Sequence, residues 1–155
     1  MMRCVLAASD DSAEAHAAVE TAIELARSFG PDARLHVASV IDYAGVPDVM
    51  AKQPEGAPDL LAEQSDAALQ HAAAAAAQAG MPLQTHALSG DVVDALLECA
   101  DAIGADVIVA GYHGRNRLAR LVMGSIAGRL VRSSHLPVLI VGRRGGSEER
   151  PNTAP

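Results

Sequence analysis

Five strand-length segments, the most apolar of them continuous runs, alternate along the chain with longer stretches in which apolar residues recur every three or four positions. Val107-Ile108-Val109-Ala110 and Val138-Leu139-Ile140-Val141 are continuous and rich in β-branched residues, as suits strands buried on both faces. Reading the whole chain this way predicts strands at about 3–9, 33–41, 83–88, 106–111 and 137–142. The first helix is expected from about Ser12 to Phe29, with Val19, Ile23, Ala26 and Phe29 as its core stripe and Gly30-Pro31 as its stop. Asp11 and Glu14 offer it a capping-box-like start, and Asp10 is the expected N-cap. A second helix begins near Pro58, runs through the alanines 72–77 and stops at Gly80-Met81-Pro82. The third starts at Gly90-Asp91, places Val93, Leu96, Leu97, Ala100 and Ile103 on one face, and ends on Gly104. A fourth follows Gly124-Ser125 and is closed by Pro137. Regular alternation of strand and helix argues for a parallel α/β sheet with right-handed crossovers.

Composition narrows the core. Half of the 155 residues are apolar, yet aromatics make up 2% and Trp is absent, so Ala, Val, Leu and Ile must fill the interior. The length suits one domain. Asp42 to Ala57 has weak periodicity and reads as a long loop over the sheet, the kind that serves as a lid or binding loop. Residues 143–155 lack apolar anchors and are expected to form a mobile tail. No apolar run approaches the roughly 20 residues of a membrane span, and Met1-Met2-Arg3-Cys4 enters a strand without a signal-peptide layout, so the expected location is cytoplasmic.

Charge excludes one class of partner and suggests another. The net charge of −7 argues against general nucleic-acid binding. Seventeen of the 19 acidic residues precede Val107, and none falls between Val107 and Ser147, where seven of the 12 basic residues lie. A cationic field of that kind suits a polyphosphate. Arg115 is assigned to it, whereas Arg129 and Arg132 are read as decorating an exposed helix face. Cys4 and Cys99 are read as buried reduced thiols. The six histidines are too widely spaced for a metal motif, so no metal ligands are assigned, and His113 is singled out only for its place in a glycine loop.

That loop carries the chemistry. Gly111-Tyr112-His113-Gly114 is followed by nine residues and then Gly124-Ser125, with a strand before it and a helix after it. Glycines permit close backbone approach, and the N–H groups and dipole of a helix N-terminus attract an anion. A strand, a glycine loop and a helix start in this order make a phosphate site, to which Ser125 adds a hydroxyl.

The motif resembles the G-x2-G-x9-G-[ST] signature of the ATP-binding branch of the universal stress protein family. The likeness runs from Cys4 to Gly142, because Val5-Leu6-Ala7-Ala8-Ser9-Asp10-Asp11-Ser12 is similar to the family's first strand and Asp-x-Ser turn. His135-Leu136-Pro137-Val138-Leu139-Ile140-Val141 is similar to its last strand. The resemblance implies one domain over 1–142, a doubly wound, Rossmann-like sheet of order 3-2-1-4-5, and helices on both faces. It implies adenine and ribose near Ala8, Ser9 and Asp10, with the backbone of Val40 against adenine. Gly111, His113, Gly114 and Arg115 would line the phosphate loop, with Gly124, Ser125 and Ile126 as phosphate donors. Ala127 departs from the pattern, since many members carry Thr or Ser there. The implied ligand is ATP, with ADP or AMP as alternatives and Mg²⁺ or Mn²⁺ carried on the phosphates. The implied assembly is a homodimer through residues 137–142, whose apolar edge lacks the charges that usually protect a lone strand.

On this reading the protein is a nucleotide-dependent stress or regulatory factor without catalytic residues. One alternative is a slow ATPase or an enzyme of adenylate chemistry, since Ser9-Asp10-Asp11-Ser12 faintly matches a pyrophosphate loop but lacks its glycines. Another is a nucleotide-free dimeric scaffold. No G-x4-G-K-[ST] or G-x-S-x-G occurs, which disfavours a P-loop NTPase and an α/β-hydrolase.

Overall fold

The computed structural model describes residues 1–45, 59–112 and 123–142. In chain order they form β1 (Cys4–Ala8), α1 (Ala13–Ser28), β2 (Arg34–Ile41), a 3-10 turn (Tyr43–Gly45), α2 (Leu60–Gln78) and β3 (Leu83–Ser89). Then come α3 (Val92–Ile103), β4 (Val107–Gly111), α4 (Ser125–Ser133) and β5 (Val138–Val141). Every strand lies within one residue of its expected ends. Most of the expected loop between Asp42 and Ala57 and the whole expected tail lie outside the described residues.

The five strands form one parallel sheet of order β3-β2-β1-β4-β5. Alternation along each strand divides the core in two. Val5 and Ala7 of β1, Leu35 and Val37 of β2, and Val107 and Val109 of β4 face α1 and α2. Cys4, Leu6, Ala38, Ile108 and Ala110 point the other way, towards Val93, Leu96 and Ala100 of α3 and Leu130 of α4. The alanines are what bring helix and sheet together. Ala18, Ala22 and Ala26 on α1, and Ala68, Ala72 and Ala76 on α2, are buried at helical spacing. Cys4 and Cys99 are both buried and free, and burial raises the pKa of each.

Local chemistry sets the boundaries. Asp59 and Asp91 cap α2 and α3 by accepting from backbone N–H groups two or three residues on. Gly104 ends α3 in a left-handed conformation, φ 66° and ψ 46°. The start of α1 differs from expectation. Its N-cap is Ser12, whose Oγ accepts from the Ala15 N–H at 3.1 Å, and not Asp10 or an Asp11–Glu14 box. Asp10 acts one step earlier, its Oδ1 accepting from the Ser12 N–H at 3.0 Å. Asp11 is then forced to φ 67°, and Glu14 is buried. Among the described residues no helix is long and apolar enough to cross a membrane.

Candidate functional site

β1 has β2 on one side and β4 on the other, so the chain leaves the carboxyl ends of β1 and β4 towards opposite faces of the sheet. A crevice opens there, as it does at such a reversal in any open α/β sheet. It holds a cavity of about 120 Å³. Ala8, Ser9, Asp10 and Ser12 wall it from β1 and its turn, Ala38 and Val40 from β2, and Gly111 from the end of β4. Ile126 and Ala127 wall it from the first turn of α4, and Val92 and Leu96 from α3. The inner end is thus apolar and the rim is built from turns and main chain.

The sequence-derived residues Ala8, Ser9, Asp10, Val40, Gly111, Ile126 and Ala127 all meet at this one cavity. Ser9 is buried and helps to fix the wall: its N–H donates to the Ala38 carbonyl at 2.9 Å, and its Oγ accepts from the Asp11 N–H at 3.3 Å. Gly124 is the N-cap of α4, and Ser125 is its first residue, exposed beside the cleft wall. His113, Gly114 and Arg115 lie outside the described residues. Val92 and Leu96 are additions: Leu96 was expected only as core, Val92 was not singled out, and nothing local says that this part of α3 borders a cleft.

Neither Gly111 nor Gly124 has a positive φ, and Gly124 sits at φ −55°. Gly111 is required by packing instead. A Cβ there would lie 2.9 Å from Glu14 Cβ, 3.0 Å from its backbone carbonyl carbon and 3.1 Å from its carbonyl oxygen. The missing side chain lets α1 cross directly over the end of β4.

At the rim, α4 stands apart from its fellows. α1, α2 and α3 each have a side-chain N-cap, whereas no side chain bonds to the N-terminal N–H groups of α4 among the described residues. Among the described residues the start of α4 is held by main chain. Gly124 N–H donates to the Tyr112 carbonyl at 2.9 Å, and Tyr112 N–H to the Val141 carbonyl at 2.8 Å. Arg129 is not mere surface decoration. Its guanidinium makes a two-pronged bond to Asp91 at 3.0 and 3.1 Å, joining α4 to the cap of α3. Arg129 and the Asp94 N–H hold the Asp91 carboxyl below the usual range. Two of the six histidines, read as too far apart for a metal motif, are brought together in one place: His16 and His71 both reach Asp11.

Comparison with known proteins agrees with this architecture. The profile of the universal stress protein family matches residues 1–142. A universal stress protein of Methanocaldococcus jannaschii is 33% identical over 134 residues, covering 86% of this chain and 76% of that one. A crystal structure from the same family in Burkholderia pseudomallei superposes with a TM-score of 0.66 at 28% identity, covering 89% of this chain and 94% of the other. A universal stress protein crystallised in complex with cAMP gives a TM-score of 0.66 at 27% identity, over 92% of this chain and 98% of its own.

Proposed function

The chain belongs to the universal stress protein family, and from that premise we propose that its β1–β4 cleft binds an adenine nucleotide, ATP in the first instance. The observation that carries the reading is the start of α4 at the cleft wall, which has no side-chain cap among the described residues. First-turn N–H groups without a side-chain acceptor, at the positive end of a helix dipole, suit an anion. The apolar inner end, from Ala38, Val40, Val92 and Leu96, suits a planar base. The relative in complex with cAMP supports the adenine class.

In this proposal Ser9, Asp10 and the Val40 backbone meet the nucleoside. Gly124, Ser125 and the N–H groups of Ile126 and Ala127 meet phosphate, with His113, Gly114 and Arg115 as the remainder of the loop. Asp10 is the one carboxylate among the described lining residues. Mg²⁺ or Mn²⁺ would therefore arrive on the phosphates rather than in a carboxylate cage, where it would neutralise their charge. The protein acts by occupancy: the assigned phosphate-side residues offer His113 and Arg115 but no Glu or Gln to orient an attacking water, so ATP stays largely intact. The proposed assembly is a dimer through β5.

Calorimetric titration of the full chain with ATP and Mg²⁺ tests the reading. Saturable binding is expected, and Ser125→Ala should weaken it by about 1–3 kcal/mol, the range for a hydrogen bond to a charged group. Absence of ATP binding by the wild-type protein would refute it. Several turnovers per second, lost in His113→Ala while binding survives, would make the protein an ATPase instead.

A further inference from the structure

On the α1–α2 side of the β1 turn, away from α4, three side chains from distant parts of the chain converge. Asp11 Oδ1 lies 2.7 Å from His16 Nε2 and 2.7 Å from His71 Nδ1. The two imidazole rings meet edge to face, centroids 4.6 Å apart. The three potential ligand atoms all lie within 4.8 Å of one another. Packing of α1 against α2 brings the histidines together, and the left-handed backbone at Asp11, φ 67°, turns its carboxylate towards them. Non-glycine residues rarely adopt that conformation, and where they do it often marks a site that positions a group. Beside the cluster lies a cavity of about 150 Å³, lined by Ser9, Val19, Glu20 and Ala68 as well as both histidines.

We propose that Asp11, His16 and His71 form a binding site for a divalent transition-metal ion of the zinc type. Two neutral imidazoles and a carboxylate are a donor set for Zn²⁺, Co²⁺ or Ni²⁺; Mg²⁺ and Ca²⁺ prefer all-oxygen surroundings. A tetrahedral ion about 2.05 Å from each donor separates its ligands by about 3.3 Å. Each nitrogen therefore retreats from Oδ1 by about 0.6 Å, and the two nitrogens take up that same separation, as the ion takes the place of the shared protons. The side chains are 22%, 40% and 62% exposed for Asp11, His16 and His71, so water can complete the coordination and the ion can enter from solvent. The ion would clamp α2 to the turn between β1 and α1. This inference does not depend on nucleotide binding.

The test is titration of the full-length protein, stripped with chelator, with Co²⁺ followed by its visible absorption and with Zn²⁺ by competition. One ion per chain is expected, with the intense d–d band of low-coordinate Co²⁺. His16→Ala and His71→Ala should each weaken binding by more than about tenfold, whereas His135→Ala, at the His135–Asp101 pair elsewhere, should leave it unchanged. His71 is exposed in an alanine-rich helix, so replacing it with alanine preserves the fold, and circular dichroism checks this. No saturable binding, or wild-type affinity in both His16→Ala and His71→Ala, would overturn the proposal and leave a hydrogen-bonded cluster only.

Discussion

Single atoms decide two properties of this chain. At Gly111 the backbone of Glu14 occupies the space where a Cβ would go, and backbone cannot swing aside like a flexible side chain. Gly111→Ala should destabilise the fold by about 1–3 kcal/mol in chemical denaturation, the ordinary cost of overpacking. An unchanged midpoint would mean that α1 slides to make room. His36 is the second case. It is 2% exposed in β2, its Nδ1 lies 2.9 Å from Nε2 of His86 on β3, and its own Nε2 has no hydrogen-bond partner among the described residues. Burial, then the charges of His86 and Arg34, holds its pKa below the ordinary value of about 6.5. The unfolded chain therefore takes up a proton that the folded chain refuses, and only below that ordinary value. The stability linked to His36 is complete above about pH 6.5 and is lost as pH falls from there through the depressed folded value. Melting temperature should fall between about pH 7.5 and pH 5.5, and the fall should be shallower in His36→Leu.

At the scale of elements, the hydroxyl of Ser12 is what starts α1. Ser12→Ala should cost about 0.5–2 kcal/mol by thermal or denaturant unfolding, because the Ala15 N–H loses its acceptor. Elements of this kind were largely legible in the sequence, because β1, β4 and β5 read as apolar runs, β2 and β3 as mixed strand-length segments between turn residues, and alanine-rich helices carry strong propensity. The choice of cap was not legible. Asp10, Asp11 and Ser12 are all good caps, and only the tertiary exit path of β1 selects the third and pushes Asp11 into the left-handed region. About half of the cleft lining was legible, through a family resemblance that implied the strand order and placed Ala8, Ser9, Asp10, Val40, Gly111, Ile126 and Ala127 at it. Contacts between helices were not: Arg129 meets Asp91 38 positions away, and His71 meets Asp11 60 positions away. No spacing rule reaches across two separate helices, so the histidine cluster and the α3–α4 clamp could come only from packing.

For the whole molecule, the exposed edge is the open question with a direct answer. β5 hydrogen-bonds to β4 alone within the described sheet, and Leu139 on it is 39% exposed. An apolar edge strand left bare invites pairing with a second copy. Light scattering at micromolar concentration should give twice the mass of one chain, and Leu139→Asp should shift the population towards a single chain. A monomer mass for the wild-type protein would remove β5 as an interface. The strand order also has a consequence for how the protein is made. β1, β2 and β3 are complete once residue 89 has left the ribosome, while β4 and both helices of the second face are still to come. Until then Cys4 and Leu6 face solvent on their uncovered side, and the Arg3 and Cys4 N–H groups await the carboxylate of Asp106. Domains tend to fold as units, and partly folded chains expose unpaired strand edges that other chains can capture. The nascent polypeptide therefore carries its future central strand as an open edge until β4 has emerged.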